Sequence, residues 1–317
     1  VPHKIMLAGE YSVLRPGGYA LAVAVEPGFA VSAKPARGVH LSLPDLGLEY
    51  SVAALPDRMD SVPHRALLFP LWSLALLQKR YGNHVTGLKL EFRRQEGGLG
   101  RSGASSALAV GSVRSAAAVA GLEPTPDEVF QIAAAAHARA QSGGSGYDVA
   151  TCAYGGMVFF RPPSRVSSAP TVGNLHLVAA DSGHSSDTET LLRRFGAALS
   201  KGTFRRAVDL HRAASNRLCS GLWEGAPEAS VRELVEQANL SLEQLDQTGS
   251  LGAITPELQD LLHIAGGVKV PARISGAGGG DLVVGLAFHA AAAAELVSAW
   301  RGAGYATKSF PSLACCD

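Results

Sequence analysis

Cysteine is scarce in this sequence, and so is charge. Four cysteines occur in 317 residues: Cys152, Cys219, Cys315 and Cys316. None forms a C-x-x-C pair and none stands at zinc spacing from histidine. This argues against a structural zinc site and for reduced thiols in a cytoplasmic protein. Charged residues make up 17%, and 28 Lys and Arg face 27 Asp and Glu, a net charge of +1. A dedicated nucleic-acid binder would show a clustered basic excess, so no nucleic-acid partner is expected. No apolar run reaches the length of a membrane span. The opening VPHKIMLAGEYSVL lacks the charged start, apolar middle and small-residue cleavage site of a signal peptide, so no membrane partner is expected either. What is abundant is hydrophobic side chain, at 47%. That is enough for a substantial core, in one large domain or two of ordinary size.

The first hundred residues read as strand-rich. KIMLAGEYSVL, YALAVAVEP and AVSAKPA are β-branched or alternating stretches separated by Gly and Pro. VHLSL and LEYSV predict a hairpin around Pro44-Asp45-Leu46-Gly47. Residues 64–81 predict a mostly buried helix that Pro70 either kinks or divides. GLKLEF predicts a strand, and SGASSALAVGSVRSAAAVAG, whose one charge is Arg114, a helix buried on most sides. Thr125-Pro126-Asp127-Glu128 is a strong helix start. CAYGGMVFFR predicts a strand pair or a strand after a turn, with Asp148 just before it. Residues 162–173, rich in Pro and Ser, form the best linker candidate. Beyond them the sequence predicts strands at LHLVAAD, ARISGAG, DLVVGLA and YATKSF. Helices are predicted near 187–200, 204–223, 228–247, 255–266 and through HAAAAELVSAWRG.

GGLGRSGASSA, residues 97–107, contains the G-x-G-x-x-G pattern at Gly98, Gly100 and Gly103. A dinucleotide site needs a strand before the loop, a helix after it and an acidic residue ending the next strand. The first two demands are met. The third fails, because the following helix leads to another helix. The pattern G-x-x-x-x-G-K-[ST] is absent. A loop of small residues still lets backbone N–H groups and a helix N-terminus approach phosphate oxygens. A tight strand–helix connection is an equal alternative on this loop alone.

Two further stretches bear on the choice. GGSGYDVATCAYGG, residues 143–156, sets Asp148 among glycines and apolar residues, where desolvation would perturb it; a turn or cap residue is the plainer reading. RISGAGGGDLVVGLA, residues 273–287, is a strand, a glycine run and a strand, which alone reads as a wide hairpin. Lys4 is a lone charge in an apolar strand and by itself reads as a snorkelling side chain.

Taken in order, these segments resemble the GHMP kinases. Pro2-His3-Lys4 with LAGEYSVL is similar to the family's first motif and GLGRSGASSA to its second. GSGYDVATCAYGG is similar to the stretch carrying its catalytic Asp, and SGAGGGD to its third motif. The matches span almost the whole chain. Within the family the segments most resemble phosphomevalonate kinases, whose Gly-Ser-Gly-Phe-Asp-Val-Ala is similar to GSGYDVA and whose Ala-His-x-x-Ala-Gln is similar to AHARAQ. Mevalonate kinases usually carry a Glu-containing helix there, and this sequence has no acidic residue between Glu128 and Asp148. His3 and Arg101 depart from the motifs, standing where the family has Gly and Ser.

The resemblance implies an α+β, two-domain GHMP kinase fold. An N-terminal ribosomal-protein-S5-like α/β domain would span 1–165, and a C-terminal ferredoxin-like α/β sandwich over 166–317 would complete the cleft. It implies phosphoryl transfer from ATP, with Mg2+, to a phosphorylated small molecule, 5-phosphomevalonate, by a monomer or homodimer. A mevalonate kinase or another small-molecule GHMP kinase is the alternative, and a non-catalytic nucleotide-binding or regulatory member the second. Gly98, Leu99, Gly100, Arg101, Ser102, Gly103, Ala104 and Ser105 would cradle the triphosphate, with Ser102 on the metal. Lys4 would stabilise the transferring group. Asp148 would orient the site or metal, or act as general base if the acceptor is an alcohol. Glu10, Tyr11, Ser12, Ser145, Gly146, Ser185, Gly276, Ala277 and Gly278 would form the acceptor pocket. SGHSSDT, residues 182–188, resembles a hydroxyl-rich substrate loop, and Ser186 or Asp187 also reads as a helix N-cap. Arg93, Arg94 and Arg161 are unranked candidates for the acceptor's phosphate.

Overall fold

A computed structural model describes residues 1–56, 58–82, 87–96, 103–141, 144–169 and 175–310. The strands β1 (His3–Ala8) and β2 (Ala20–Val25) are apolar runs buried along their whole length, as strands covered on both faces must be. β3 (Phe29–Pro35) follows. β4 (Val39–Leu43) and β5 (Leu48–Val52) pair as the expected hairpin. α1 (Arg65–Tyr81) runs unbroken through Pro70, so the proline does not divide it. After β6 (Leu88–Arg94) comes α2 (Ala104–Val119), buried on most sides. Its one charge, Arg114, reaches out to the Ala153 carbonyl at 2.7 Å. α3 (Pro126–Ala140) opens on a complete capping box between Thr125 and Glu128, a device worth about 1 kcal/mol.

The next stretch departs from expectation in two places. Asp148 does not directly precede a strand: residues 147–154 form a helix, α4 (Tyr147–Tyr154), with Asp148 in its first turn. The Gly146 cap takes φ 87° and Thr151 Oγ donates to the Tyr147 carbonyl at 2.7 Å. A short apolar run fits a buried helix as well as a strand, and only packing separates them. Of the two readings of CAYGGMVFFR, a strand after a turn holds: β7 (Met157–Arg161) begins after the Gly155-Gly156 turn. The predicted linker is partly a strand too: β8 (Arg165–Ala169) pairs antiparallel with β7. It lies at a sheet edge, where a Pro- and Ser-flanked strand is tolerated because one side makes no ladder.

The second half follows its sequence reading closely. β9 (His176–Asp181) leads to α5 (Thr188–Ala198), α6 (Gly202–Trp223), α7 (Glu228–Gly249) and α8 (Pro256–Gly267). β10 (Ala272–Ser275), β11 (Leu282–Ala287), α9 (Ala290–Gly302) and β12 (Thr307–Phe310) complete it. The sheet order β10-β11-β9-β12 is antiparallel throughout. This is the split β-α-β-β-α-β arrangement of a ferredoxin-like sandwich. The first half holds two more sheets, β1-β2-β7-β8 and β3-β6-β4-β5, the latter with β4 and β6 parallel.

The sheet containing β1 joins the halves. Ile5 and Leu7 face one core shared with Leu177, Leu218 and Val284 of the second half. Met6 faces the other core, with Val110, Val149 and Phe160. Side chains alternate along a strand, so Lys4 shares the Met6 face and is carried towards α2 and α4.

Candidate active site

A cavity of about 430 Å³ lies where the halves meet. From the first half it is lined by Lys4, Glu10, Tyr11, Gly103, Ser105, His137, Tyr147 and Asp148, among others. The second half contributes Ser185, Ser186, Thr188, Ser275, Gly276, Ala277 and Asp281. α2, α4 and α5 all begin at its wall. Helix N-termini present unpaired N–H groups and a positive dipole end, which favour anionic oxygens.

Asp148 sits at the start of α4, and its Oδ2 accepts from Ser106 Oγ at 2.5 Å. His137 Nε2 lies 3.7 Å from the same oxygen and 3.1 Å from Ser105 Oγ. Burial works to raise the Asp148 carboxyl. His137, the Ser106 hydroxyl, the Lys4 ammonium and the Val149 N–H outweigh it and hold the group below its ordinary value. Asp148 is therefore an anion at neutral pH and a weak base.

Lys4 is buried, and its Nζ donates to Tyr147 Oη at 3.1 Å. Burial opposes its charge, but Tyr147, Asp148 and Asp281 together hold the ammonium above its ordinary value. Gly103 touches this lysine. A Cβ there would meet Lys4 Cγ at 3.4 Å, and the residue's φ of 82° suits glycine. The start of α2 is thus pressed against the cation.

Across the cavity, the β10–β11 turn is tied to the segment before α5. Asp281 N donates to the His184 carbonyl at 2.7 Å, and Ser186 Oγ to the Gly278 carbonyl at 2.5 Å. Asp281 itself holds φ 60°. Its carboxyl is pushed up by burial more than the Ser186 N–H and Lys4 pull it down. Tyr11 Oη donates to the Ala277 carbonyl at 2.6 Å. Ser275 Oγ accepts from Met6 N at 3.0 Å, joining β10 to β1.

Of the predicted residues, Lys4, Asp148, Glu10, Tyr11, Gly103, Ser105, Ser145, Ser185, Gly276 and Ala277 line the cavity. Three others, Ser12, Gly146 and Gly278, lie outside that lining. Ser12 is buried with its hydroxyl on the Gly9 and Tyr19 carbonyls. Gly146 is the α4 cap rather than a lining residue. Gly278 only lends its carbonyl to Ser186. Ala104 is the first residue of α2 and is not in the lining. Gly98, Leu99, Gly100, Arg101 and Ser102 lie outside the described residues. Arg93 pairs with Glu91, Arg94 N donates to Asp45 at 2.8 Å, and Arg161 stacks on Tyr19 and Phe159. None of these arginines reaches the cavity lining. Asp187 caps α5, accepting from Thr190 N. Glu10 points inward to a buried ion pair with Arg273 at 2.5 Å, both side chains fully buried.

The sequence reading did not single out His137, Ser106, Tyr147 or Asp281 as site residues. His137 was visible as the histidine of AHARAQ, the segment similar to Ala-His-x-x-Ala-Gln. Tyr147 was visible as the residue beside Asp148 that differs from the resembling family segment.

Two family models match the chain: the GHMP kinases N terminal domain over residues 71–156 and the GHMP kinases C terminal domain over residues 226–306. Together they cover just over half of the sequence. The chain belongs to the GHMP kinases. It is a phosphotransferase of the mevalonate kinase and phosphomevalonate kinase type. A phosphomevalonate kinase from Streptomyces sp. is 29% identical over 90% of this chain and 88% of its own length. A mevalonate kinase from Thermococcus sibiricus is 28% identical over 58% of this chain and 55% of its own. Among solved structures, Streptococcus pneumoniae phosphomevalonate kinase in complex with phosphomevalonate and AMPPNP superposes with a TM-score of 0.80 at 18% identity. That match covers 98% of both chains. Methanococcus jannaschii mevalonate kinase gives 0.76 at 15%, covering 100% of this chain and 97% of its own. These superpositions show the shared two-domain fold.

Proposed function

We propose that the protein transfers the γ-phosphoryl group of ATP to 5-phosphomevalonate, giving 5-diphosphomevalonate and ADP in the mevalonate route to isoprenoids. The observation that carries this reading is the match, along nine-tenths of the chain, to a relative that bears this activity in its name. An alcohol acceptor must lose a proton during transfer, and Asp148, ionised beside Lys4, would be its base. A phosphate acceptor is already an anion, so positioning and charge neutralisation suffice.

In this reading the backbone N–H groups at the start of α2, around Gly103 to Ser105, hold the nucleotide's phosphates. Lys4 neutralises charge on the transferring group. Ser185, Ser186 and Thr188, with the 275–277 segment, hold the acceptor. Mg2+ fits the site, because the ionised Asp148 carboxylate lines it and such ions rest largely on nucleotide phosphates. Among the described residues no group of three His, Cys, Asp or Glu side chains forms a cage for a metal. When bound, the ion would neutralise the phosphates, with Asp148 as its protein ligand.

The test is ADP release with phosphomevalonate, mevalonate, homoserine and galactose at matched concentrations. Turnover is expected with phosphomevalonate, at least about a hundredfold above the others. Turnover of mevalonate with none of phosphomevalonate would replace this substrate assignment by mevalonate kinase.

A further inference from the structure

Lys4 and Asp148 share a neighbour to which no role has been given. Tyr147 is the first residue of α4, and its hydroxyl oxygen accepts the Lys4 ammonium at 3.1 Å. The same ammonium lies 5.4 Å from the ring centroid. The ring is anchored from below by the helix, so its hydroxyl is delivered to the cavity wall beside the glycine turn. A Cβ placed on Gly276 would lie 4.0 Å from the phenolic oxygen. Gly276 and Tyr147 therefore line the cavity side by side.

A phenol carries one proton to donate as well as lone pairs to accept. Its lone pair is taken by Lys4. Among the described residues the proton has no acceptor. Burial pushes the Tyr147 hydroxyl above its ordinary value, so it stays protonated at neutral pH. An O–H whose oxygen accepts from a cation is polarised and becomes a stronger donor. It faces a cavity at which three helices begin and where Lys4 sets a positive charge beside the hydroxyl. The partner that completes this arrangement is an anionic oxygen. The resembling family segment carries Phe here, so the hydroxyl is a feature of this chain and not of the motif.

We propose that Tyr147 is a further catalytic residue, whose hydroxyl, fixed by Lys4, donates a hydrogen bond to a phosphoryl oxygen of the bound substrates. No proton is transferred; the O–H remains whole and the charge it stabilises lies on the phosphoryl group. The proposal rests on the cavity being the site of phosphoryl transfer and does not depend on which acceptor is used.

The test compares the parent enzyme with Tyr147→Phe and with 3-fluorotyrosine placed at position 147, whose phenol is more acidic and nearly the same size. Two readouts are taken at neutral pH: kcat with whichever acceptor turns over fastest, and calorimetric affinity for inorganic tripolyphosphate, which needs no turnover. Tyr147→Phe is expected to lower kcat about tenfold or more and to weaken tripolyphosphate several-fold. The 3-fluorotyrosine variant, the stronger donor, should exceed the parent in both. Phenylalanine within twofold of the parent in both readouts would overturn the proposal. So would a loss of the same size with 3-fluorotyrosine, because donor strength would then not matter. If the phenylalanine variant does not fold, the 3-fluorotyrosine protein alone decides, since values unchanged from the parent refute a donor role. Failure of phosphomevalonate as acceptor, with the Tyr147 effect intact on tripolyphosphate, would sink the substrate assignment and leave this inference standing.

Discussion

The cavity wall made by β1, α2, α3 and α4 carries Lys4, Ser105, His137, Tyr147 and Asp148, a compact set of ionisable and hydroxyl groups that touch one another. The facing wall, from the segment around the start of α5 and the β10–β11 turn, carries hydroxyl side chains, Gly276, Ala277 and a single carboxylate, Asp281. On the first wall rigid elements hold side chains, and the field around Asp148 and Lys4 is the result. On the second wall backbone carbonyls and N–H groups hold loops, and shape is the result. The contrast separates chemistry from grip. Substitutions in the first wall should act on kcat, and those in the second on acceptor affinity.

The sharpest way to break this comparison is at Asp148. Asp148→Asn keeps size and the bond from Ser106 but removes the charge. We expect kcat to fall about a thousandfold or more, with the melting temperature little changed. Full activity would remove Asp148 from the mechanism. Lys4→Met, which keeps the buried stem, should cost about a hundredfold or more in kcat, with a smaller change in the acceptor KM.

The seam between the walls is a second target. Glu10 and Arg273 are both fully buried, and Arg273 also reaches Asn239 Oδ1 at 3.0 Å. Removing one partner strands a charge. Arg273→Met should therefore destabilise the fold by about 3–5 kcal/mol in urea denaturation. Replacing Glu10 by Leu in the same protein should recover part of that loss. If the single and double variants are equally stable, the pair does not bind the halves together.

His211 touches the same seam, with Nε2 2.8 Å from the Glu10 carbonyl. Burial, and then Arg273, lower its pKa from 6.5 to about 4. The folded protein thus keeps a neutral imidazole where the unfolded chain takes up a proton. Stability is complete above about pH 6.5 and falls as pH drops towards 4, by about 1.4 kcal/mol per unit. Denaturation midpoints at pH 7 and pH 5 should differ by more in the parent than in His211→Gln. Equal slopes would exclude His211 as the titrating group.

The two walls also differ in how far the sequence revealed them. Most strands and helices were legible from period and punctuation, because long apolar runs and caps such as Thr125 leave little choice. The segments carrying Lys4 and Asp148 were legible from their order along the chain. The helix at Tyr147–Tyr154 was not, since an eight-residue apolar run fits either period until Gly146 and its neighbours pack. Nor were the roles of Ser12 and Gly278, because which way a loop group turns depends on partners distant in sequence. His137 meets Asp148 only because α3 and α4 pack together, a tertiary contact with no local signature.

The smallest expected effect tests the grip of the second wall. Ser186 Oγ donates to the Gly278 carbonyl at 2.5 Å, and Ser186 N donates to Asp281 Oδ1 at 3.3 Å. Ser186→Ala removes the first bond and keeps the second. One such bond is worth about 1 kcal/mol, or roughly a fivefold change in an equilibrium constant. The acceptor KM should rise about three- to tenfold while kcat and the KM for ATP stay within about twofold. Ser186 lies on the opposite wall from Lys4 and Asp148. A fall in kcat with unchanged acceptor KM would therefore show that the β10–β11 turn takes part in the chemistry, and the division between the walls would fail.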